Sequence, residues 1–542
     1  MSEGVAAAPG GTESAGFGDS ARHAGGRDAA DGASATSPNR AATTTDVVVV
    51  GGGVAGLVAA LECAKIGLAV TVLESREAPG GCVGRVTLGG LTLDSGAESF
   101  ATRGGTVAEL LDGLGLADAI EQPDPSGAWL VWPAGRSGRD GSPVDAAPLP
   151  RTGMLGIPAN PLGDDVRRII GWKGASRAYL DRLKPILRIG RAHSLGKLVR
   201  DRMGDLVLDR LVAPISSGVY STNPDDLDLD VVAPGLNEAM TRTGSLSGGV
   251  GQLLEERRAG SAVQGLDGGM HRLVDALLAQ LERFGADVVT QAPVTSLVRA
   301  EGDGGDAGWR ATVSRDDEDD LVLDARFAII AAPAVSARTL LAGALDGWAD
   351  DFAEGPAEAS VEVVILLLDA PVLDAAPRGT GVLVATDTPG ITAKALTHST
   401  AKWPWLARRT DGRHVVRLSY GRTGEPNPLA GLSDDEVREV ALADASAALG
   451  VDLPAGALLE VGRASWRDAL SQATIGRRDR VRALEEVLDA EDGLEVTGSW
   501  VAGTGLASVV PHAIEAAARI RHLAVAPRID PGARPDPTAG NA

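Results

Sequence analysis

The chain has 542 residues, 44% of them hydrophobic, which is enough for a large core and roughly two to four domains. A formal net charge of −22 sets its surface against nucleic-acid phosphates and anionic lipid, so no nucleic acid is expected as a partner. Two cysteines, Cys63 and Cys82, are too few for a disulfide framework or a Cys-rich zinc site, and they fit buried structural thiols in a reducing, cytoplasmic compartment.

Residues 1–44 are rich in Ala, Gly, Ser and Thr, carry several acids and lack an apolar h-region. They read as a disordered tail and not as a secretory or transit peptide, and residues 527–542 read as a second tail. No apolar run approaches the roughly 18 residues that span a bilayer, so no transmembrane segment is expected. Asp46 and the four valines after it predict a buried parallel strand. A glycine turn comes next, then a helix over 54–66 stopped by Gly67, then a strand over 69–73 ending at Glu74. Helices are predicted over 106–114 and 116–120, a Gly/Pro/Asp-rich loop over 135–150, and a helix-rich stretch over 164–211. Residues 225–230 read as an acidic turn and 268–284 as a further helix. Strands are predicted at 287–290, 294–298, 310–313 and 326–331, with loop tips at 302–308 and 316–320. Strands at 361–368, 381–385, 414–420 and 494–497 precede a closing helix over 508–520. The pattern is mixed α/β, with nucleotide-binding elements at both ends of the chain and hence a discontinuous cofactor domain.

Gly51, Gly53 and Gly56 form G-x-G-x-x-G between the first strand and helix. Gly51 permits the tight turn, Gly53 lets a pyrophosphate approach the backbone, and Gly56 lets helix and strand pack closely. The N–H groups of Val54 and Ala55 open the helix, where the dipole favours phosphate. Glu74 and then Ser75 come after the second strand, where a carboxylate accepts hydrogen bonds from ribose hydroxyls and repels a 2′-phosphate. The unit predicts a bound dinucleotide and leaves FAD and NAD both open.

The residues beyond Glu74 narrow the choice. Gly80-Gly81, with Arg85 beyond Cys82-Val83-Gly84, resembles the second fingerprint of the amine oxidase-like flavoproteins, which implies FAD with Gly80, Gly81 and Arg85 along its diphosphate. In that superfamily the basic residue directly follows the glycine pair, and here three residues intervene. Leu93 to Phe100 (LDSGAESF), Leu155 to Pro158 (LGIP), Arg202 to Tyr220, Gly265 to Met270 (GLDGGM), Ala393 to Pro404 (AKALTHSTAKWP) and Gly498 to Leu506 (GSWVAGTGL) are similar to segments of the oxygen-dependent protoporphyrinogen and coproporphyrinogen III oxidases, in their actinobacterial type. The resemblance runs from about residue 45 to 526.

The resemblance implies an α/β fold with a discontinuous, Rossmann-like (GR2-type) FAD-binding domain over 45–105, 262–335 and 490–526. It implies a mainly helical subdomain over 106–215, and a mixed-sheet substrate domain over 216–261 and 336–489. It adds Val294, Trp466, Gly503, Gly505 and Leu506 to the FAD contacts, the last helix placing its positive dipole end toward the flavin. The stretch after Trp466, through Leu470 and Gln472 to Arg477, departs from the family's pattern and takes no role. The implied reaction converts coproporphyrinogen III to coproporphyrin III with O2, giving H2O2, with the hard chemistry on the flavin. Protoporphyrinogen IX stays open as substrate. Arg103 is the candidate anchor for a substrate carboxylate and His398 a second substrate contact, each set against a solvent-exposed or structural alternative. No side chain is assigned as a catalytic base. Peripheral membrane contact and hand-over to other haem-pathway enzymes stay open, as do a different amine oxidase-like enzyme and a non-catalytic flavin-binding module.

Overall fold

The computed structural model describes residues 43–135, 142–151, 153–184, 191–256, 263–301, 307–315, 319–345, 348, 360–466 and 473–526. The expected tails, apart from Thr43 and Thr44, which open the first strand instead, all but the edges of the loop tips at 302–308 and 316–320, and residues 470–472 lie outside these.

The elements that frame the site begin with strand β1 (Thr43–Val50), helix α1 (Val54–Ala64), β2 (Val70–Leu73), β3 (Ala128–Pro133) and β4 (Val144–Pro148). The middle of the chain supplies α2 (Ala213–Tyr220), α3 (His271–Arg283), β5 (Asp287–Val289), β6 (Val294–Glu301), β7 (Ala307–Val313) and β8 (Leu321–Ile330). The last part gives β9 (Val361–Leu368), β10 (Gly381–Val384), β11 (Ala395–His398), β12 (His414–Tyr420), α4 (Asp434–Leu449), β13 (Leu458–Trp466), β14 (Leu494–Val496) and α5 (Leu506–Val525).

The first sheet runs β5-β2-β1-β8, all parallel. Val47 to Val50 lie opposite Val70 to Leu73 on one side and Phe327 to Ile330 on the other. The far edge of β8 is shared: its start pairs antiparallel with β7 and its end pairs parallel with β14. Val47, Val48 and Val49 are fully buried, as an uninterrupted β-branched run requires when both faces are covered. On one face Val47, Val49 and Ile329 pack under α1, α3 and α5. On the other, Val48 and Ile330 pack against Trp309, Leu341 and Val496. Small residues set the spacing between α1 and α5, where Ala59, Ala60, Ala513 and Ala517 are all fully buried. Arg521 on α5 reaches back to Glu62 on α1 at 2.9 Å.

The second sheet runs β13-β9-β12-β11-β10-β3-β4. Alternation decides its faces. Val364, Leu366, Leu418 and Tyr420 pack against Ala441, Ala445 and Leu449 of α4. Ile365, Leu367 and Val415 point the other way, against Trp403, Trp405 and a hairpin of Arg85–Leu88 with Leu91–Asp94. Strand β4 falls inside the stretch expected to be a loop. It is an edge strand paired only with β3, a position that tolerates its Pro148. A third core, built from helices over residues 164–254, carries a buried ion pair between Asp181 and Arg202 at 2.5 Å. Among the described residues no helix is long and apolar enough to cross a membrane.

Candidate functional site

Because β1, β8 and β14 are parallel, the chain leaves all three at one edge of the sheet, and the crevice outside that edge is where ligands bind in α/β folds. Gly51 leaves β1 with φ +110°, and a Cβ there would stand 2.7 Å from the carbonyl oxygen of Ala331. A Cβ on Gly56 would lie 1.9 Å from the Gly51 carbonyl oxygen. Gly53 differs from both: its φ is an ordinary −68°, and no atom lies within 4 Å of where its Cβ would be. The fold does not need glycine at 53, so the open space there is the cradle a phosphate would use. Gly53 is also the N-cap of α1 and no side chain caps that helix, so the first-turn N–H groups, at Val54 and Ala55, face the crevice without a side-chain acceptor.

The Gly80–Gly81 loop lies alongside. Gly80 N–H donates to the Gly52 carbonyl at 2.8 Å, a bridge joins Gly53 to Gly80, and a Cβ on Gly81 would stand 3.3 Å from Gly53 Cα. Glu74, buried at the end of β2, accepts from Gly52 N–H at 2.7 Å and from Arg76 N–H at 2.9 Å. Its carboxylate is thereby fixed beside the turn. Ser75 lies next to it, with its hydroxyl 3.4 Å from Glu74 Oε1. Ala292 N–H donates to the Glu74 carbonyl, which brings Val294, two residues on, to this end of the crevice. Trp466, the last residue of β13, closes the loop side. Its ring edge would meet Cβ atoms on Gly84 and Gly96 at 3.5 and 3.2 Å, and Arg76 stacks 5.1 Å from its centroid.

The second helix start is that of α5. Gly503 and Gly505 both hold positive φ, +108° and +88°, Gly505 is the N-cap, and again no side chain caps the helix. Leu506 is buried as its first residue. Arg103 reaches this turn and donates to Ser508 Oγ at 2.6 Å, the one side-chain partner it has among the described residues.

Two expected contacts look different in the structure. Arg85 begins the hairpin with its side chain 58% exposed and pairs with Asp275 of α3 at 3.1 Å, so its guanidinium serves a surface ion pair. His398 does not reach the crevice. It lies opposite Val416, on the sheet face that packs against α4, and its Nε2 is 3.3 Å from His414 Nδ1. Burial, reinforced by His414, pushes its imidazole down to about 4. One residue along β11, Thr397 shares its face with Arg417, and that is the face turned toward the hairpin.

Arg417 is a charged residue on that face that sequence reading passed over. It joins Glu98 at 2.7 Å, while Lys402 holds the other carboxylate oxygen at 2.5 Å and Ser399 Oγ adds a contact at 3.3 Å. Arg417 also donates to the Gly96 carbonyl at 2.5 Å, so the cluster pins the loop that Trp466 covers. The signal was present: a single arginine inside the apolar run of β12, HVVRLSY, whose arginine is itself buried.

Residues 54–521 match the family described as flavin containing amine oxidoreductase. The coproporphyrinogen III oxidase of Mycobacterium tuberculosis (strain ATCC 25618 / H37Rv) is 30% identical over 484 residues, covering 88% of this chain and 96% of that protein. The coproporphyrinogen III oxidase of Bacillus subtilis (strain 168) is 25% identical over 475 residues, covering 85% and 94%. A crystal structure from Exiguobacterium sp. 255-15 that bears the name protoporphyrinogen oxidase has a TM-score of 0.71 at 23% identity, covering 89% of this chain and 98% of that one. That last likeness is one of fold. With two glycine-capped helix starts on one sheet edge and a match along most of its length, the chain is an oxidoreductase that belongs to the flavin containing amine oxidoreductases, in the family of the coproporphyrinogen III oxidases.

Proposed function

We propose that the chain is an FAD-dependent oxidase that converts coproporphyrinogen III to coproporphyrin III in haem biosynthesis, with O2 reduced to H2O2. The observation that carries the reading is the cradle at Gly53: a position where glycine is unnecessary for the fold, open to the crevice, beside the Gly80–Gly81 loop and an uncapped helix start. The substrate is supported by the coproporphyrinogen III oxidases among its relatives.

In this reading the N–H groups of Val54 and Ala55 receive the FAD diphosphate, and Gly51, Gly56, Gly80 and Gly81 shape the space around it. Glu74 and Ser75 serve the ribose, with Val294 near the same end, and Trp466 backs the loop. The N–H groups at Leu506, opened by Gly503 and Gly505, place the positive end of the α5 dipole where negative charge would gather on the flavin ring. The bound flavin supplies a hydride acceptor whose electrons pass on to O2. Overall the porphyrinogen loses six electrons and six protons, and three O2 become three H2O2. Arg103 holds a propionate, since a guanidinium without an acidic partner suits bidentate carboxylate binding. We place the enzyme in the cytoplasm, where two cysteines that form no disulfide are at home.

The test is direct. Flavin-loaded protein is given coproporphyrinogen III or protoporphyrinogen IX in air, with porphyrin fluorescence and peroxide followed together. Faster porphyrin formation from coproporphyrinogen III, with three peroxides per porphyrin, is expected. A clear preference for protoporphyrinogen IX reassigns the substrate. A flavin that neither bleaches without oxygen nor turns over with either compound overturns the reading.

A further inference from the structure

Two arginines act on the last turn of α2, one through a hydrogen bond and one through its charge. Arg103 approaches from the loop after Phe100–Ala101. Burial raises the pKa of the Tyr220 phenol and Arg103 lowers it, which puts this guanidinium within electrostatic reach of the ring. Arg422 approaches from the loop after β12, and its Nε donates to Ser217 Oγ at 2.9 Å. Ser217 and Tyr220 are three positions apart and therefore neighbours on the helix surface. The Arg422 guanidinium is bonded to this surface, and the charge of Arg103 acts on the same turn.

Behind Arg422 stands Lys394, 1% exposed, with Nζ donating to Ser221 Oγ at 2.5 Å and to the Gly421 carbonyl at 2.6 Å. Burial, then the nearby charge of Arg422, pushes its ammonium down to about 7. Thr423 N–H adds a bond to the Ser221 carbonyl at 2.7 Å. Lysine and threonine together fasten the end of α2 to the loop that carries Arg422.

Acids are scarce here. Among the described residues Arg103 has no carboxylate within ion-pair distance, and Arg422 has only Glu425, at 3.8 Å and 58% exposed. The chain has 73 acidic residues against 51 basic ones, and several of its arginines pair closely with them, as Arg310 does with Asp324 and Arg519 with Glu495, while others, such as Arg378 and Arg477, are held by backbone carbonyls. Two guanidinium groups, one with no carboxylate partner and one with only a long, exposed pair, fit an anion supplied by a ligand.

We propose that Arg422, bonded to the last turn of α2, is a second carboxylate anchor of the substrate site beside Arg103, and that it selects a porphyrinogen carrying propionates where another carries vinyl groups. Lys394 is a positioning residue that holds the Arg422 loop against α2. The inference rests on the porphyrinogen reading above and adds to it the origin of substrate choice. Coproporphyrinogen III and protoporphyrinogen IX differ by propionate against vinyl at two positions, so one guanidinium dedicated to such a position separates them.

Flavin-loaded Arg422→Gln and Arg422→Lys are compared with the parent on both porphyrinogens. For Arg422→Gln the KM for coproporphyrinogen III should rise about 10- to 100-fold, with kcat within about twofold, as loss of a charged hydrogen bond predicts. Protoporphyrinogen IX, lacking those carboxylates, should shift less than about threefold, and Arg422→Lys should recover part of the loss. An unchanged KM for coproporphyrinogen III, or equal losses on both substrates, overturns the proposal. If Arg422→Gln does not retain flavin, Ser217→Ala, which removes only the hydrogen bond that aims Arg422, takes its place under the same criterion. A parent enzyme inert toward both porphyrinogens overturns the functional reading itself, and shows this before any variant is compared.

Discussion

Glu98 and Arg417 lie 319 positions apart and form a largely buried ion pair at 2.7 Å, with Lys402 on the second carboxylate oxygen. Burial alone would raise the Glu98 carboxyl, but Lys402 and Arg417 outweigh it and hold the group at about 2. The folded value lies below the ordinary 4.5, so the stabilisation is complete above that pH and is lost as pH falls toward 2. It amounts to something on the order of 3 kcal/mol. Glu98→Gln leaves a buried arginine and a partly buried lysine facing a neutral amide and should cost about 2–4 kcal/mol near neutral pH. The variant should also lose less on acidification than the parent does. Urea unfolding at neutral pH and near pH 4 measures both, and a neutral-pH difference under about 1 kcal/mol would place the pair in the weak class of surface bridges.

The glycine turn makes a paired prediction. Gly51→Ala drives a Cβ into the Ala331 carbonyl at a φ of +110°, so the fold itself should suffer, by about 1–3 kcal/mol from strain alone. Gly53→Ala meets no protein atom and keeps an ordinary φ, so the apoprotein should melt within about 1 °C of the parent or slightly above it. Its flavin affinity should fall at least about tenfold, because the methyl occupies the cradle. Melting of the apoproteins and flavin titration by fluorescence separate the two effects. A Gly53→Ala protein that binds FAD as tightly as the parent would remove the phosphate from that position.

Much of the first sheet was legible because its signal is local. Four consecutive valines need no alternation when both faces of a strand are covered, and a glycine turn between strand and helix obeys a short pattern. In the second sheet, strands β3 and β11, which lie inside it, and β4 and β13, which lie at its edges, were not predicted. In the two edge strands, β4 and β13, the exposed Pro148, Glu460 and Arg463 break the apolar run that marks an interior strand, and in the four residues of β11 the run is too short to stand out. The site divides along the same line. Glu74 and the glycines could be placed because their roles are set by neighbours in sequence. The partner of Arg417 could not, because it comes from the loop after Gly96. His398 was placed on a segment that does border the crevice, but strand alternation carries its side chain to the α4 face, and only the pairing with Val416 reveals this.

Arg85 separates a family expectation from the geometry. Its partner is Asp275, with both side chains about half exposed, and exposed pairs contribute roughly 0–1 kcal/mol. Arg85→Ala should therefore unfold within about 1 kcal/mol of the parent and bind FAD within about twofold of it. Flavin titration is again the measurement. A tenfold loss of affinity without loss of stability would mean that the guanidinium leaves Asp275 for the diphosphate when FAD binds.

Lys394 gives the last prediction, on the alkaline side. Its ordinary pKa of 10.5 falls to about 7 in the folded chain, chiefly through burial. Between those values the unfolded chain holds a proton that the folded lysine has released, so this site adds stability as pH rises from about 7. Cys63 and Cys82, raised by burial to about 12 and about 11, act in the opposite sense above pH 9, because the folded thiols keep protons that the unfolded ones lose. Lys394→Met removes only the lysine contribution. It also strips Ser221 Oγ and the Gly421 carbonyl of a donor, at a cost of about 1–3 kcal/mol. The stability of the parent relative to the variant should therefore rise from about pH 7.5 to 9, by at most about 1.4 kcal/mol per pH unit. Urea unfolding of both proteins across that range measures it. A difference flat with pH would show that Lys394 keeps its proton in the folded protein, its charge balanced by the two acceptors that hold it.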